Sequence, residues 1–225
     1  MEFEAVIGLE IHVELNCATK MFCDCPNRPG DEPNANTCPT CLWLPGSMPR
    51  LSQQALEKAA LLCLGLDAEL QPRSVFDQKV YYYPDLPKGF QLSQAHLPLS
   101  RGGGIDIVDE DGTTKRMRIH HIHMEEDVAK LVHEMEGRQP ISLVDFNRAG
   151  TPLVEIVTEP DFRTPYQAME FLKALRRRVD PARRAVGDDA PAGRRVRPSP
   201  PRRPRRPLRQ LGRHRRRGQP PGTDQ

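Results

Sequence analysis

Four cysteines stand in two close pairs, Cys23-Asp24-Cys25 and Cys38-Pro39-Thr40-Cys41, with twelve residues between the pairs. Two short-spaced thiolate pairs joined by a loop suit tetrahedral Zn2+, and Cys-Pro-x-Cys is a common metal-binding turn. With sulfur in all four positions, such an ion holds a loop together and leaves no open position for catalysis. Free thiols are the next reading, and disulfides compete only in an oxidising compartment. Cys17 and Cys63 fit neither pair, and Cys63 reads as a small core residue on a helix.

A second set consists of oxygen donors and one imidazole: Glu10, His12, Glu126 and Glu155. Glu155 sits in the apolar run Pro152 to Val157, where a carboxylate is costly unless it is paired or holds a metal. Such donors suit Mg2+ or Mn2+, ions that bridge nucleotide phosphates. Each residue also has a plain structural role. Glu10 belongs on a solvated strand face with Glu14, Glu126 suits a helix N-terminus, and Glu155 suits an ion pair. His120, His121 and His123 tempt a further metal assignment. In a strand only His121 and His123 share a face, and a polar edge strand accounts for them. Asp127 and Lys130, three apart, fit a surface ion pair.

These side chains must be positioned by a small number of elements. Ile7, Leu9, Ile11, Val13 and Leu15 alternate with polar residues, so residues 3–15 are expected to form a strand with Glu10, His12 and Glu14 on one side. The Cys-rich stretch 17–49 has no periodicity. Residues 52–64 have helical spacing, with Ser52 as cap and Gly65 past the end. Ile105 to Val108 and Arg116 to Met124 flank a turn at Asp109 to Gly112 and predict a hairpin. Val128, Leu131, Val132 and Met135 form a helical stripe behind three acids, which predicts a helix over 125–136. Pro152 to Val157 reads as a strand. Thr164, Pro165 and Gln167 then open a helix that Pro181 is expected to stop. Gly102-Gly103-Gly104 lacks the flanking strand and helix of a nucleotide fingerprint and reads as a turn, and the chain has no P-loop.

Composition sets the frame: 225 residues, 37% hydrophobic and 28% charged, fit one large or two small globular domains. No 18-residue apolar run is present, and the acidic start Met1-Glu2-Phe3-Glu4 is unlike a secretory signal, so a cytoplasmic location away from membranes is expected. The net charge of +3 is unevenly spread. Residues 176–225 carry 17 arginines against four aspartates, a net of +13, which leaves −10 on residues 1–175. That basic segment also holds nine of the 23 prolines and has too little apolar area to offset its ordering entropy, so 178–225 is expected to be a disordered tail. Clustered arginine is also what a nucleic-acid-binding arm needs.

Several long blocks are more specific. Val6-Ile7-Gly8-Leu9-Glu10-Ile11-His12-Val13-Glu14-Leu15, Glu32 to Cys41, Tyr83-Pro84-Asp85-Leu86-Pro87-Lys88-Gly89-Phe90-Gln91-Leu92-Ser93-Gln94, His123-Met124-Glu125-Glu126-Asp127 and Asp145 to Ile156 closely resemble GatB, the B subunits of glutamyl/aspartyl-tRNA amidotransferases. The likeness covers about 175 residues in order. It implies an α+β fold for residues 1–177, an antiparallel-sheet cradle with packed helices that resembles the glutamine synthetase catalytic sheet, with a zinc loop at 17–49. It also implies an ATP-dependent carbon–nitrogen ligase with glutamine as amido donor. Glu on Glu-tRNA(Gln), or Asp on Asp-tRNA(Asn), is activated as an acyl phosphate and converted to the amide by ammonia. The implied partners are GatA, which releases the ammonia, and GatC, which bridges.

The resemblance matches magnesium ligands to Glu10, His12, Glu126 and Glu155, with Glu125 as the adjacent alternative to Glu126, and zinc ligands to Cys23, Cys25, Cys38 and Cys41. The family pattern stops near Arg177. The Arg/Pro-rich remainder looks like a GC-rich gene read out of frame, and the chain is expected to be inactive alone. The alternative reading is a zinc-stabilised nucleic-acid-binding module whose arm is the basic tail.

Overall fold

The computed structural model describes residues 3–184 and 197–198. Apart from the last turn of one helix and one two-residue strand, the expectations for the Arg/Pro-rich tail lie outside the described residues. Among the described residues no helix is long and apolar enough to cross a membrane.

The fold is α+β with antiparallel pairing throughout. Strand β1 (Glu10–Glu14) pairs with β10 (Pro152–Thr158), and β10 pairs with the long β7 (Thr114–Glu126). On its other side β7 takes β5 (Ser100–Arg101), followed by β2 (Glu69–Leu70), while β6 (Gly104–Val108) pairs with the first half of β7. A short β11 (Arg197–Pro198) lies on the outer edge of β1. Two ribbons stand apart from this sheet: β3 (Asp77–Val80) with β4 (Phe90–Ser93), and β8 (Lys130–Glu136) with β9 (Gln139–Asp145).

Period-two alternation gives the main sheet its two faces. Ile11 and Val13 of β1, Val154 and Ile156 of β10 and Ile122 and Met124 of β7 turn inward. There they meet Ala55, Ala59, Leu62 and Cys63 of α1 (Gln53–Gly65) and Phe171, Leu175 and Val179 of α2 (Pro165–Arg184). Ser52 caps α1 by accepting from the Ala55 N–H, as its sequence predicts. At α2 Thr164 accepts from the Gln167 N–H, but the Gln167 carbonyl reaches back to the Arg163 N–H and its amide donates to Asp109. The capping residue therefore also fastens the helix to the β6–β7 turn.

Four expectations need correction. The strand foreseen over 3–15 begins only at Glu10. Before it the chain is held by an isolated bridge between Ile7 and Phe162 and by Leu9 N–H donating to Thr158 Oγ1 at 2.8 Å. Pro181 does not stop α2, which runs to Arg184, because a proline removes one intrahelical bond without obliging the helix to end there. The helix foreseen over 125–136 is absent. Glu125 and Glu126 finish β7, and residues 130–136 form β8, paired in full register with β9 through a two-residue turn in which Gly137 has φ +62°. The stripe at 128, 131, 132 and 135 satisfies a helix locally, but a glycine that takes positive φ and a complementary partner strand favour the hairpin. Asp127 pairs with Arg148, not Lys130.

The β7–β10 register slips between Val157 and Thr158, which face His121 and Ile119 and leave His120 as an extra residue. This bulge switches the buried parity of β7 from Met117 and Ile119 to Ile122 and Met124. It also draws the adjacent His120 and His121 rings together, with Nδ1 atoms 2.6 Å apart, where a regular strand would send them to opposite faces.

Gly103 has φ +91°, and a Cβ there would lie 2.5 Å from the Leu66 carbonyl oxygen and 3.0 Å from the Ala68 nitrogen. The triple glycine is thus a tight junction between β5 and β6 against the end of α1. Gly103→Ala is expected to cost about 2–3 kcal/mol. Thermal denaturation followed by circular dichroism should show Tm falling by roughly 5–10 °C.

Candidate cation centre on the polar face of the sheet

Register brings the chemistry together. His12 on β1 is opposite Glu155 on β10, and Glu155 is opposite His123 on β7. Directly opposite residues share a sheet face, so the three side chains form one row on the side away from the core. Glu125 follows His123 on the same face of β7. His12 Nε2 lies 3.5 Å from Glu155 Oε2, and His123 Nε2 lies 3.3 Å from Glu155 Oε2 and 3.0 Å from Glu125 Oε1. His12, Glu125 and Glu155 each present a ligand atom within 4.8 Å of the others.

The two carboxylates are buried, Glu125 at 2% exposure and Glu155 at 8%, while His12 is partly open to solvent. Glu125 is fixed from the β3–β4 ribbon. Ser93 Oγ donates to its Oε1 at 2.7 Å and Gln91 Nε2 to its Oε2 at 3.2 Å. Burial works against the charge of Glu155, but the hydrogen bonds from His12 and His123 prevail and hold it below the usual carboxylate range. The Glu155 hydrogen bond raises His12 in turn. His123 is opposed by burial yet held up at about 9 by its hydrogen bonds to Glu125 and Glu155. His121, stacked on His123 with ring centroids 5.1 Å apart, is pushed down to about 4 by burial and by the charge of its neighbours. Tyr81, in the loop between β3 and β4, is pushed up to about 12 by burial, with Asp85, Glu125 and Asp127 adding to it.

Two of the four residues singled out by sequence meet here, and two do not. Glu10 lies on the same strand face as His12 but one row further along, opposite Val157, and is exposed. Glu126 shares the parity of the inward residues Ile122 and Met124. Its carboxylate accepts from Lys88 Nζ and from the Leu92 N–H at 3.1 Å, on the other side of β7 from Glu125. The acidic pair sits on a strand, so one step of sequence means opposite faces. Glu125 is therefore the member aimed at His12 and Glu155. Ser93 and Gln91 carry no clear signal of their own, and His123 is signalled only as one of a cluster of histidines that reads as a polar edge strand. Reading 119–126 as one alternating strand places His123 and Glu125 together.

The four-cysteine loop adjoins this region. Sγ atoms of Cys23, Cys25, Cys38 and Cys41 all lie within 4.8 Å of one another. Cys41 accepts from the Cys38 N–H at 3.1 Å and has the ammonium of the fully buried Lys20 3.8 Å away. The Cys23 hydrogen bond is the chief cause holding the Cys41 thiol down at about 5, whereas burial pushes Cys25 up to about 12. The loop is pinned to the sheet side by Asn147, which accepts from the Asn36 N–H at 2.8 Å and donates to the Glu32 carbonyl at 2.7 Å.

Lys88 bridges the two regions. Its side chain is 5% exposed, its ammonium pairs with Glu126, and the rings of Phe90, Trp43 and Phe22 lie 5.4, 5.7 and 6.0 Å from it. Removing the cation strands a buried carboxylate, a loss of about 3–5 kcal/mol. Urea denaturation should show that loss for Lys88→Met, and Lys88→Met/Glu126→Gln should recover most of it, because the amide still accepts from Leu92.

Residues 5–188 match the sequence pattern of the GatB/GatE catalytic domain. The chain is 84% identical over 179 residues to the B subunit of an aspartyl/glutamyl-tRNA(Asn/Gln) amidotransferase from Syntrophus aciditrophicus, covering 80% of this chain and 37% of that protein. It is 52% identical over 176 residues to the corresponding subunit of Geotalea daltonii and 51% identical over 177 residues to that of Symbiobacterium thermophilum, each covering 78% of this chain and 36% of the relative. The chain thus spans a little over a third of the length of these curated relatives. Matched over most of its residues by one domain pattern, and at high identity by these subunits, the chain belongs to the GatB/GatE catalytic-domain family.

Proposed function

We propose that this chain supplies the cation-binding part of a site that activates an aminoacyl carboxylate on tRNA with ATP, for conversion to the amide. The observation that carries the reading is the row of His12, Glu155 and His123 with Glu125 beside it: three ligand atoms within 4.8 Å on two buried carboxylates and one partly open imidazole. Oxygen donors with one imidazole suit Mg2+ or Mn2+. The ion, held by His12, Glu125 and Glu155, would supply charge neutralisation where a carboxylate must approach a triphosphate.

The chain's own residues prepare the site. Ser93 and Gln91 hold the Glu125 carboxylate in place, so little reorganisation is left for the reaction. His12 lies on the open side of the row, and the substrates enter from there. In the reaction that the resemblance implies, the γ-phosphoryl group of ATP would move to the side-chain carboxylate of Glu-tRNA(Gln) or Asp-tRNA(Asn). Ammonia then attacks the acyl carbon, and phosphate leaves. Partner subunits corresponding to GatA, as the glutaminase, and GatC complete this reading.

The four sulfurs fit one structural Zn2+. They form a compact group, and the Cys38 N–H and Lys20 ammonium beside Cys41 offset thiolate charge. Because stretch 17–49 has no helix or strand of its own, metal would hold its shape.

Two measurements check these assignments. The 225-residue chain should bind one Mn2+ outside the cysteine loop, read as loss of the free-ion electron paramagnetic resonance signal, and Glu155→Gln should weaken binding about tenfold or more. A chain that leaves the signal unchanged contradicts the reading. Elemental analysis should find one zinc per chain, and Cys38→Ser should lower both zinc content and Tm. Full zinc retention in that variant would contradict the four-sulfur assignment.

A further inference from the structure

His123 is the one member of the row whose polar contacts are with both carboxylates. It is 6% exposed, and its Nε2 lies 3.0 Å from Glu125 Oε1 and 3.3 Å from Glu155 Oε2. Its Nδ1 is buried with no hydrogen-bond partner among the described residues. The ring is backed on one side by His121, nearly parallel at 20°. Glu125 and Glu155 belong to different strands and are not register partners, since Glu125 faces Leu153 and Glu155 faces His123. Ser93 and Gln91 hold Glu125, and His12 holds Glu155. Among the described residues, the one nitrogen placed close to both carboxylates is His123 Nε2, hydrogen-bonded to Glu125 Oε1 and within ion-pair distance of Glu155 Oε2.

We propose that His123 is a positioning residue for the cation centre: its Nε2–H, shared by Glu125 Oε1 and Glu155 Oε2, fixes the separation and direction in which the two carboxylates meet the ion. The inference rests on the cation reading given above. Two carboxylates on neighbouring strands repel each other, and the ties from Ser93, Gln91 and His12 hold each one separately without setting the distance between them. A rigid ring locked between strands sets that distance, since a ligand's outer hydrogen bonds orient it and commonly contribute 10–100-fold to metal affinity. The stacked His121 ring and the pleat allow His123 little rotation, so the donor position is set by the β7–β10 register.

The test titrates Mn2+ into the 225-residue chain by electron paramagnetic resonance, with zinc content and circular dichroism measured alongside. His123→Phe keeps an aromatic ring but loses the donor, and its Mn2+ dissociation constant is expected to rise about 10–100-fold with zinc content unchanged. His123→Gln can place an amide N–H near the same point and is expected to recover most of the affinity. His123→Asn, one carbon shorter, is not. If the Phe variant fails to fold, the contrast between Gln and Asn still decides the matter. Affinity in folded His123→Phe equal to or tighter than that of the parent chain overturns the inference, as does equal affinity in Gln and Asn. A parent chain that binds no Mn2+ removes the cation reading, and this inference with it. Binding that is lost in Glu155→Gln yet unchanged in His123→Phe removes the inference alone.

Discussion

The antiparallel register of β1, β10 and β7 is the constraint on which the rest depends. It makes His12, Glu155 and His123 direct neighbours although they lie more than a hundred residues apart in sequence at the extremes. A shift of one residue in either pairing would turn one strand's polar groups into the hydrophobic core and its core residues onto the polar face. The apolar side enforces the register, because Ile11, Val154, Ile156, Ile122 and Met124 are all nearly fully buried. Packing energy on one face thus places buried carboxylates and imidazoles on the other, where they are stabilised by one another and by the donors of the β3–β4 ribbon.

The cysteine loop poses a different physical problem. Residues 17–49 bury little and form no regular element, so their shape depends on discrete polar ties. Asn36 and Asn147 exchange hydrogen bonds with backbone around 31–36, and Lys20 spans from Cys41 to the Phe146 carbonyl at 3.1 Å. Lys88 closes the circuit by facing Trp43 and Phe22 of the loop while pairing with Glu126 at the end of β7. Glu125 is the next residue back along that strand. The same two-residue acidic segment thus faces the cysteine loop on one side and the row of His12, Glu155 and His123 on the other.

Much of this is legible in the sequence because it is local. The alternation of β1, the Ser52 and Thr164 caps, the β6–β7 hairpin and the spacing of the four cysteines depend on near neighbours, and each is where local rules place it. The segment 125–136 misleads because its pattern satisfies a helix as well as a strand, and its pairing with β9 turns on a positive φ at Gly137 that a helical reading passes over. Taking it as a helix leaves Glu125 and Glu126 interchangeable: at a helix N-terminus either could serve, and on a strand only Glu125 faces His12. The bulge at His120 is equally invisible, since it arises from pairing with β10. His123 stands out in the sequence only as part of a histidine cluster, and its place beside Glu155 comes from the same pairing with β10.

The most direct measurement is a crystal structure of the chain grown with Mn2+, with anomalous differences collected at the manganese edge. The account predicts one peak outside the cysteine loop, contacted by His12, Glu125 and Glu155, with His123 bonded to the two carboxylates and not to the ion. A peak lodged instead at Glu10 or Glu126, or none on the polar face of the sheet, would contradict it.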